Sequence, residues 1–260
     1  MAVASSAGRR ALHVLPAVAV LAACVGAWEA WVRLRDTPDY VLPAPSQVWR
    51  AFVDQRGIVG GHLATTLLES AIGLVVGTAA GIAVAVALAG SPLLRRVLGP
   101  IVVASQTIPV MVLAPLLVLG FGYGLTPKVV VVALVTFFPV AIATAGGLTG
   151  ARPDHVELIA SMGATNATTL TKVRVPSALP HLFDGLRIAA AYTVAGAVIA
   201  EYTGGSSGLG IYIDRSRAAF RVDQVFVAVA VIALVSTALF LIVGGLARVV
   251  CPWAYRRTES

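Results

Sequence analysis

Charge is scarce in this chain. Asp, Glu, Lys and Arg supply 12% of its 260 residues, against about 25% in soluble domains, which need them to stay in solution. An ordinary soluble fold is therefore excluded. Lysine is rarer still, with only Lys128 and Lys172 present. A phosphate-holding Walker A loop needs a glycine-rich turn ending in Gly-Lys-Ser/Thr. Pro127 and Thr171 precede these lysines, so neither fits, and the chain is expected not to hydrolyse ATP by itself. The glycine-rich stretch 204–210 carries no lysine and directly follows an apolar run. His13, His62, His155 and His181 are scattered, without His-x-x-x-His or Cys-x-x-Cys spacing, so no metal site is expected. No catalytic nucleophile is expected either. Cys24 and Cys251 lie in the first apolar run and just past the last, which gives no disulfide framework.

What the chain does have is apolar length. Apolar residues make up 58% of it, and the mean hydropathy is +0.89. A helix crosses a bilayer with about 20 mostly apolar residues. Six runs meet that need, over 11–33, 64–89, 97–119, 127–148, 185–203 and 225–249. The reading is an all-α integral membrane protein of six transmembrane helices. Residues 1–63 would hold the first span and an extracytoplasmic loop, 64–250 the core, and 251–260 a cytoplasmic tail. The formal net charge is +7, yet the basic residues stand singly or in pairs between apolar runs. That suits anionic headgroups and orientation signals rather than nucleic acid.

Six spans place both termini on one side. The end segments and the loops at 90–96 and 149–187 hold Arg9, Arg10, Arg95, Arg96, Arg152, Lys172, Arg174, Arg187, Arg248, Arg256 and Arg257. The opposite side holds Arg33, Arg35, Arg50, Arg56, Lys128, Arg215, Arg217 and Arg221. The bias predicts cytoplasmic termini. Leu21-Ala22-Ala23-Cys24 resembles a lipoprotein cleavage box, but the apolar run continues to Trp31 and Val32, which favours an uncleaved span. In the second run Gly73, Gly77 and Gly81 form a flat stripe for helix packing. Glu29, Glu69 and Glu201 lie within runs, near their ends, where an acid is either functional or hydrogen-bonded structurally. Gln106, Thr107 and Pro109 form a polar, helix-interrupting patch inside the third run, a candidate lining for a pathway.

The most informative segment is the loop at about 149–184. It reads Asp154-His155-Val156-Glu157-Leu158-Ile159-Ala160-Ser161-Met162-Gly163-Ala164, then Val173-Arg174-Val175-Pro176, and later Pro180. A short helix over 154–162 has acids in its first turns, which suits the helix dipole. Gly163 is placed to end it in a left-handed turn. Pro176 and Pro180 should prevent a continuous helix into the next span. The result is a small helix on a bent arm, suited to docking a partner.

Glu157, Gly163, Val173, Val175 and Pro176 match the spacing of the cytoplasmic signature of binding-protein-dependent ABC importer permeases. Leu158 and Ile159 stand where that signature has two alanines. Gln106-Thr107-Ile108-Pro109, Ala114-Pro115-Leu116, Phe121-Gly122-Tyr123-Gly124, Phe137-Phe138-Pro139, Ala200-Glu201-Tyr202 with Gly208-Leu209-Gly210, and Pro252-Trp253 resemble the nitrate, sulfonate and taurine branch. Thr144 departs from the asparagine common there.

The resemblance implies a type I permease-like fold in the bacterial inner membrane. It implies a homodimer with two ATPase subunits, which bind ATP and Mg, and an extracytoplasmic solute-binding protein. It implies coupling through Glu157, Ala160, Gly163, Ala164 and Pro176, and a pathway near Gln106, Thr107, Pro109, Thr144 and Glu201. No cofactor is expected on this chain. The solute would be a small organic or anionic compound: a sulfonate, taurine, nitrate or a vitamin precursor. The alternative is a secondary transporter driven by an ion gradient, but such folds usually show internal repeats, and the two halves here show none. A structural membrane protein without transport leaves the docking loop unexplained.

Overall fold

The computed structural model describes residues 4–255, with side chains for 15–16, 18–165 and 167–255. Every regular element among these residues is helical. The long helices are α1 (Ala4–Leu34), α2 (Pro45–Gly90), α5 (Leu125–Thr149), α8 (Val175–Gly204) and α10 (Val222–Val250). Between them lie α3 (Pro92–Ser105), α4 (Val110–Phe121), α6 (Pro153–Ser161), α7 (Asn166–Thr169) and α9 (Leu209–Ala218), and α11 (Pro252–Tyr255) follows. Among the described residues four helical runs are long and apolar enough to cross a membrane: α2, α5, 167–204 and α10. The bent pair α3–α4 makes a fifth if it counts as one crossing. Of the first expected span, 11–33, the side chains of 11–14 lie outside the described residues. So do those of Arg9, Arg10 and His13, and the whole of Arg256 and Arg257.

Three expectations need correction. The run 97–119 is not one straight helix. It breaks after Ser105 and bends by 97° before Val110. Pro109 has no N–H to continue the ladder and keeps Ile108 out of the helical region. Thr107 Oγ1 meanwhile takes the Ala104 carbonyl at 2.7 Å. Pro100 and Pro115 sit inside α3 and α4, so proline alone does not set the break.

The loop expected over 34–63 ends early, because α2 starts at Pro45 and runs 46 residues. Proline suits a first helical position, where its N–H is not needed. Gln47 reaches back to accept from the Ala44 N–H at 2.6 Å, one half of a capping box. Glu29 accepts from the Ser46 N–H at 3.0 Å and from Ser46 Oγ at 2.8 Å. It also pairs with Arg33 at 2.6 Å. This places Glu29 in a structural role, as a carboxylate at a helix N-terminus.

The third correction concerns Pro176 and Pro180, which do not stop the helix. The run continues from 167 to 204. It is accommodated by a π-helical turn, Leu170–Arg174, in which the Val175 N–H reaches the Leu170 carbonyl. The wider turn sits directly before Pro176, which cannot donate.

The chain divides into two compact units. One takes in the chain up to Val59 together with Ile213–Val229. In it, Trp28 packs on Phe226 with ring centroids 5.4 Å apart. The other comprises Gly60–Tyr212 and the chain from Ala230 onward. There, a Cβ on Gly73 would overlap the Val132 side chain, and one on Gly77 the Ala133 carbonyl. On Gly81 it would come within 2.9 Å of Val140. The stripe therefore lies on α5 at backbone distance, the approach that small residues permit. An adjoining face of α5 meets α8 in the same manner, since a Cβ on Gly185 would stand 2.6 Å from the Pro139 carbonyl. Phe183, Ala190, Val243, Ala247 and Cys251 join α8 to the end of α10.

Candidate functional site

The loop expected to dock a partner is built from strictly local rules. Pro153 opens α6, and Asp154 occupies its first turn. The helix closes with the Gly163 N–H on the Ala160 carbonyl at 3.0 Å and the Ala164 N–H on Ile159 at 3.2 Å. That is the bond pair of a Schellman motif, and Gly163 supplies the left-handed φ of +80°. None of the nine α6 residues is buried. Leu158 is 61% and Met162 77% exposed, and Glu157 and Ala160 are exposed beside them. A Cβ on Gly163 would meet nothing within 4 Å. Pro176 lies a full arm away, at the start of α8.

Gln106, Thr107 and Pro109 occupy the break between α3 and α4, and all three are exposed. Thr144 is on α5, only 5% exposed, and its hydroxyl has no hydrogen-bond partner among the described residues. Glu201 is elsewhere. It is fully buried at the end of α8, and its carboxylate is taken up by the protein's own groups. Oε1 accepts from Thr66 Oγ1 at 2.7 Å, and Oε2 from the Gly210 N–H at 2.6 Å. Thr66 Oγ1 in turn accepts from the Leu209 N–H at 2.9 Å. His62 Nδ1 accepts from the Gly208 N–H at 3.0 Å, and Thr65 and Ser207 share a hydroxyl bond at 3.0 Å. The segment 204–210 is thus tied to α2 by a ladder of side-chain bonds. Gly208, at φ +120°, has no room for a Cβ beside the Glu201 carboxylate.

Lys128 stands near this cluster and pairs with Glu69 at 2.6 Å, both nearly inaccessible. It is therefore not a headgroup-facing charge of a loop, as the side-by-side tally of cations assumed. A lysine and a glutamate 59 positions apart carry no sequence sign of their pairing. The α2 contribution was legible in principle, since His62, Thr66 and Glu69 recur at helical spacing on one face. Gly204, Ser206 and Gly208 do carry the Gly-x-Ser-x-Gly spacing of hydrolase nucleophiles, contrary to expectation. That motif needs a strand before the turn, and here a helix precedes it.

Long apolar helices packed through glycine stripes, with an exposed helix on the loop between two of them, are the architecture of a membrane-embedded helical protein. The profile of the binding-protein-dependent transport system inner membrane component family matches residues 77–254. The chain belongs to that family, and its fold is that of type I ABC importer permeases. It is 37% identical over 213 residues to a probable ABC transporter permease protein of Haemophilus influenzae, covering 82% of this chain and 87% of the relative. It is 36% identical to a formylaminopyrimidine transport permease protein of Halalkalibacterium halodurans, over 87% and 90% of the two chains. It is 30% identical to the taurine transport system permease protein of Escherichia coli, over 91% and 88%. Among solved structures, a chain of an amino acid ABC transporter superposes with a TM-score of 0.61 at 18% identity. The match covers 78% of this chain and 96% of that one, a likeness of fold.

Proposed function

We propose that this chain is the membrane subunit of an ATP-driven importer, acting as a homodimer with two ATPase subunits and an extracytoplasmic solute-binding protein. The bacterial inner membrane would be its location, with both termini and α6 cytoplasmic. The partner subunits hold ATP and Mg. Closure of the ATPase pair moves the two docked α6 helices together and rocks the permease halves from inward- to outward-facing. The solute is a small organic or anionic compound of the sulfonate, taurine, nitrate or vitamin-precursor class; the formylaminopyrimidine and taurine relatives support that range.

The observation that carries this reading is α6 itself. It is a nine-residue helix, closed by a Schellman turn, with nothing of its own buried. A short, firmly ended helix that exposes an acid and a small residue on one side, Glu157 and Ala160, is what a partner groove requires. Glu157 would meet a basic or hydrogen-bonding group there, Ala160 and Ala164 would allow close approach, and Gly163 and Pro176 would fix the arm. Gln106, Thr107, Pro109 and Thr144 are the candidate pathway residues. Glu201 is reassigned to holding the 204–210 segment. The experiment is co-expression with the cognate ATPase, followed by uptake in vesicles. Glu157→Lys and Gly163→Asp should insert normally, lose co-purifying ATPase and lose uptake. Wild-type assembly and transport in both variants would refute the docking assignment.

A further inference from the structure

Behind α6 lies a cavity of about 680 Å³, and of its lining the docking reading uses Pro176 alone. His155, Leu158 and Ile159 of α6 face it. Glu157 and Ala160 are turned the other way, because residues two and five positions from His155 fall on the opposite side of a helix. The cavity therefore belongs to the rear of the docking helix. Its polar groups are Arg152, His155 and Lys172, together with the Ser177 hydroxyl, and among the described residues that line it none is acidic. Arg152 also contacts Asp154 at 3.2 Å, with both side chains largely exposed, so its remaining N–H groups stay available. The far wall is apolar: Pro176 and Pro180 of α8 and Trp253 of α11. The volume is within the range of about 300–1,000 Å³ typical of small-molecule sites.

From these features we infer an anion site for a phosphate group, carried by an anionic lipid headgroup or free in solution. The lining holds Arg152 and Lys172 and, among the described residues, no acid; Asp154, outside the lining, takes one Arg152 nitrogen. Such a lining selects negative charge, and a guanidinium offers paired donors to phosphate oxygens. The cavity is formed between the rear of α6, the π-helical arm at Lys172 and the chain end at Trp253. A bound phosphate joins these three pieces and restrains the rear of α6. Its consequence is regulation of docking, and that consequence rests on the reading of α6 as the ATPase-docking helix.

The test uses the full-length permease purified in detergent. Native mass spectrometry follows its adducts with phosphatidylglycerol and with phosphatidylcholine, with and without inorganic phosphate as competitor. Retention of phosphatidylglycerol over phosphatidylcholine is expected. It should fall about fivefold for each basic residue removed in Arg152→Gln and Lys172→Gln, the scale of one cation near an anionic surface. An adduct that survives inorganic phosphate assigns the site to a lipid headgroup; an adduct that phosphate strips assigns it to free phosphate. Equal retention by wild type and the Arg152→Gln/Lys172→Gln pair overturns the site. An equal loss in Arg95→Gln/Arg96→Gln, the basic pair of another loop, overturns it too, as general attraction of cations. ATPase co-purification is measured on the same samples. Absence of ATPase on the wild type would sink the docking reading and leave the anion result standing.

Discussion

The loop around α6 and the cluster beneath the 204–210 segment both hold acids, but on opposite plans. Glu157 is exposed on a helix whose start, stop and turn are written within a dozen consecutive residues. Glu201 is wholly inaccessible, and its partners come from 135 positions upstream and nine downstream. Glu69 and Lys128 meet across 59 positions. The first region is open and locally determined, ready for something outside the chain. The second is closed and non-local: both oxygens of Glu201 are met from within, and Glu69 is held through one oxygen by Lys128. An acid within a membrane span is by default a functional candidate; here burial and partner count separate the acids the protein holds itself from the exposed Glu157.

Four predictions bear on that contrast. The largest effect is expected at the buried ion pair. Lys128→Met strands the Glu69 carboxylate and should lower stability by about 3–5 kcal/mol, the scale for breaking a buried pair. The double variant Glu69→Leu/Lys128→Met should recover most of it. Thermal unfolding in detergent reads both, and a double variant no better than the single would mean that the pair is not the cause.

Next comes Gly77→Val, whose side chain would run into the Ala133 backbone and Thr136 on α5. Overpacking of this kind costs about 1–3 kcal/mol, and yield and unfolding midpoint should both drop. Unchanged stability would show that the two helices separate readily.

Glu201→Gln should follow, at about 1–3 kcal/mol, because an amide cannot accept from both Thr66 and the Gly210 N–H. Hydrogen exchange should rise at 208–210 with little change at α6. Equal exchange in both proteins would remove Glu201 from its tethering role.

The smallest stability effect is expected at Gly163→Ala. Only its left-handed φ opposes the substitution, at about 1–2 kcal/mol, since space for a methyl exists. Its effect on ATPase co-purification should nevertheless exceed that of Glu201→Gln. The reverse order would mean that the local, open region is not the docking one.

How far each region was legible follows from the same physics. The signature spacing from Glu157 through Pro176 lies in one stretch of chain, and α6 needs only proline, a first-turn acid and a glycine to form. The break at Gln106–Pro109 was visible as a polar patch, though its 97° bend was not. Pro109 marks a boundary without stating the angle, which depends on what the freed carbonyls find. The prolines of the arm misled. Pro176 reads as a stop by helix rules, yet a π turn before it keeps the chain helical, an adjustment that depends on surroundings rather than on residue type. The start of α2 was missed because 45–63 is polar enough to read as loop. Its capping by Gln47 and Glu29 holds it as helix.

The sequence by itself determined that this chain lies in a membrane, that it is helical, and that it presents a capped helix on an arm. Hydrophobic length, glycine placement and turn chemistry are properties of neighbouring residues and need no fold to act. Only the tertiary structure decided which polar groups meet. It set Lys128 against Glu69, folded the 204–210 segment onto Glu201 and Thr66, and opened the basic cavity behind α6. Each of these joins residues from separate helices, and a buried charge or N–H takes its cost or its stability from the partner that packing brings within 3 Å.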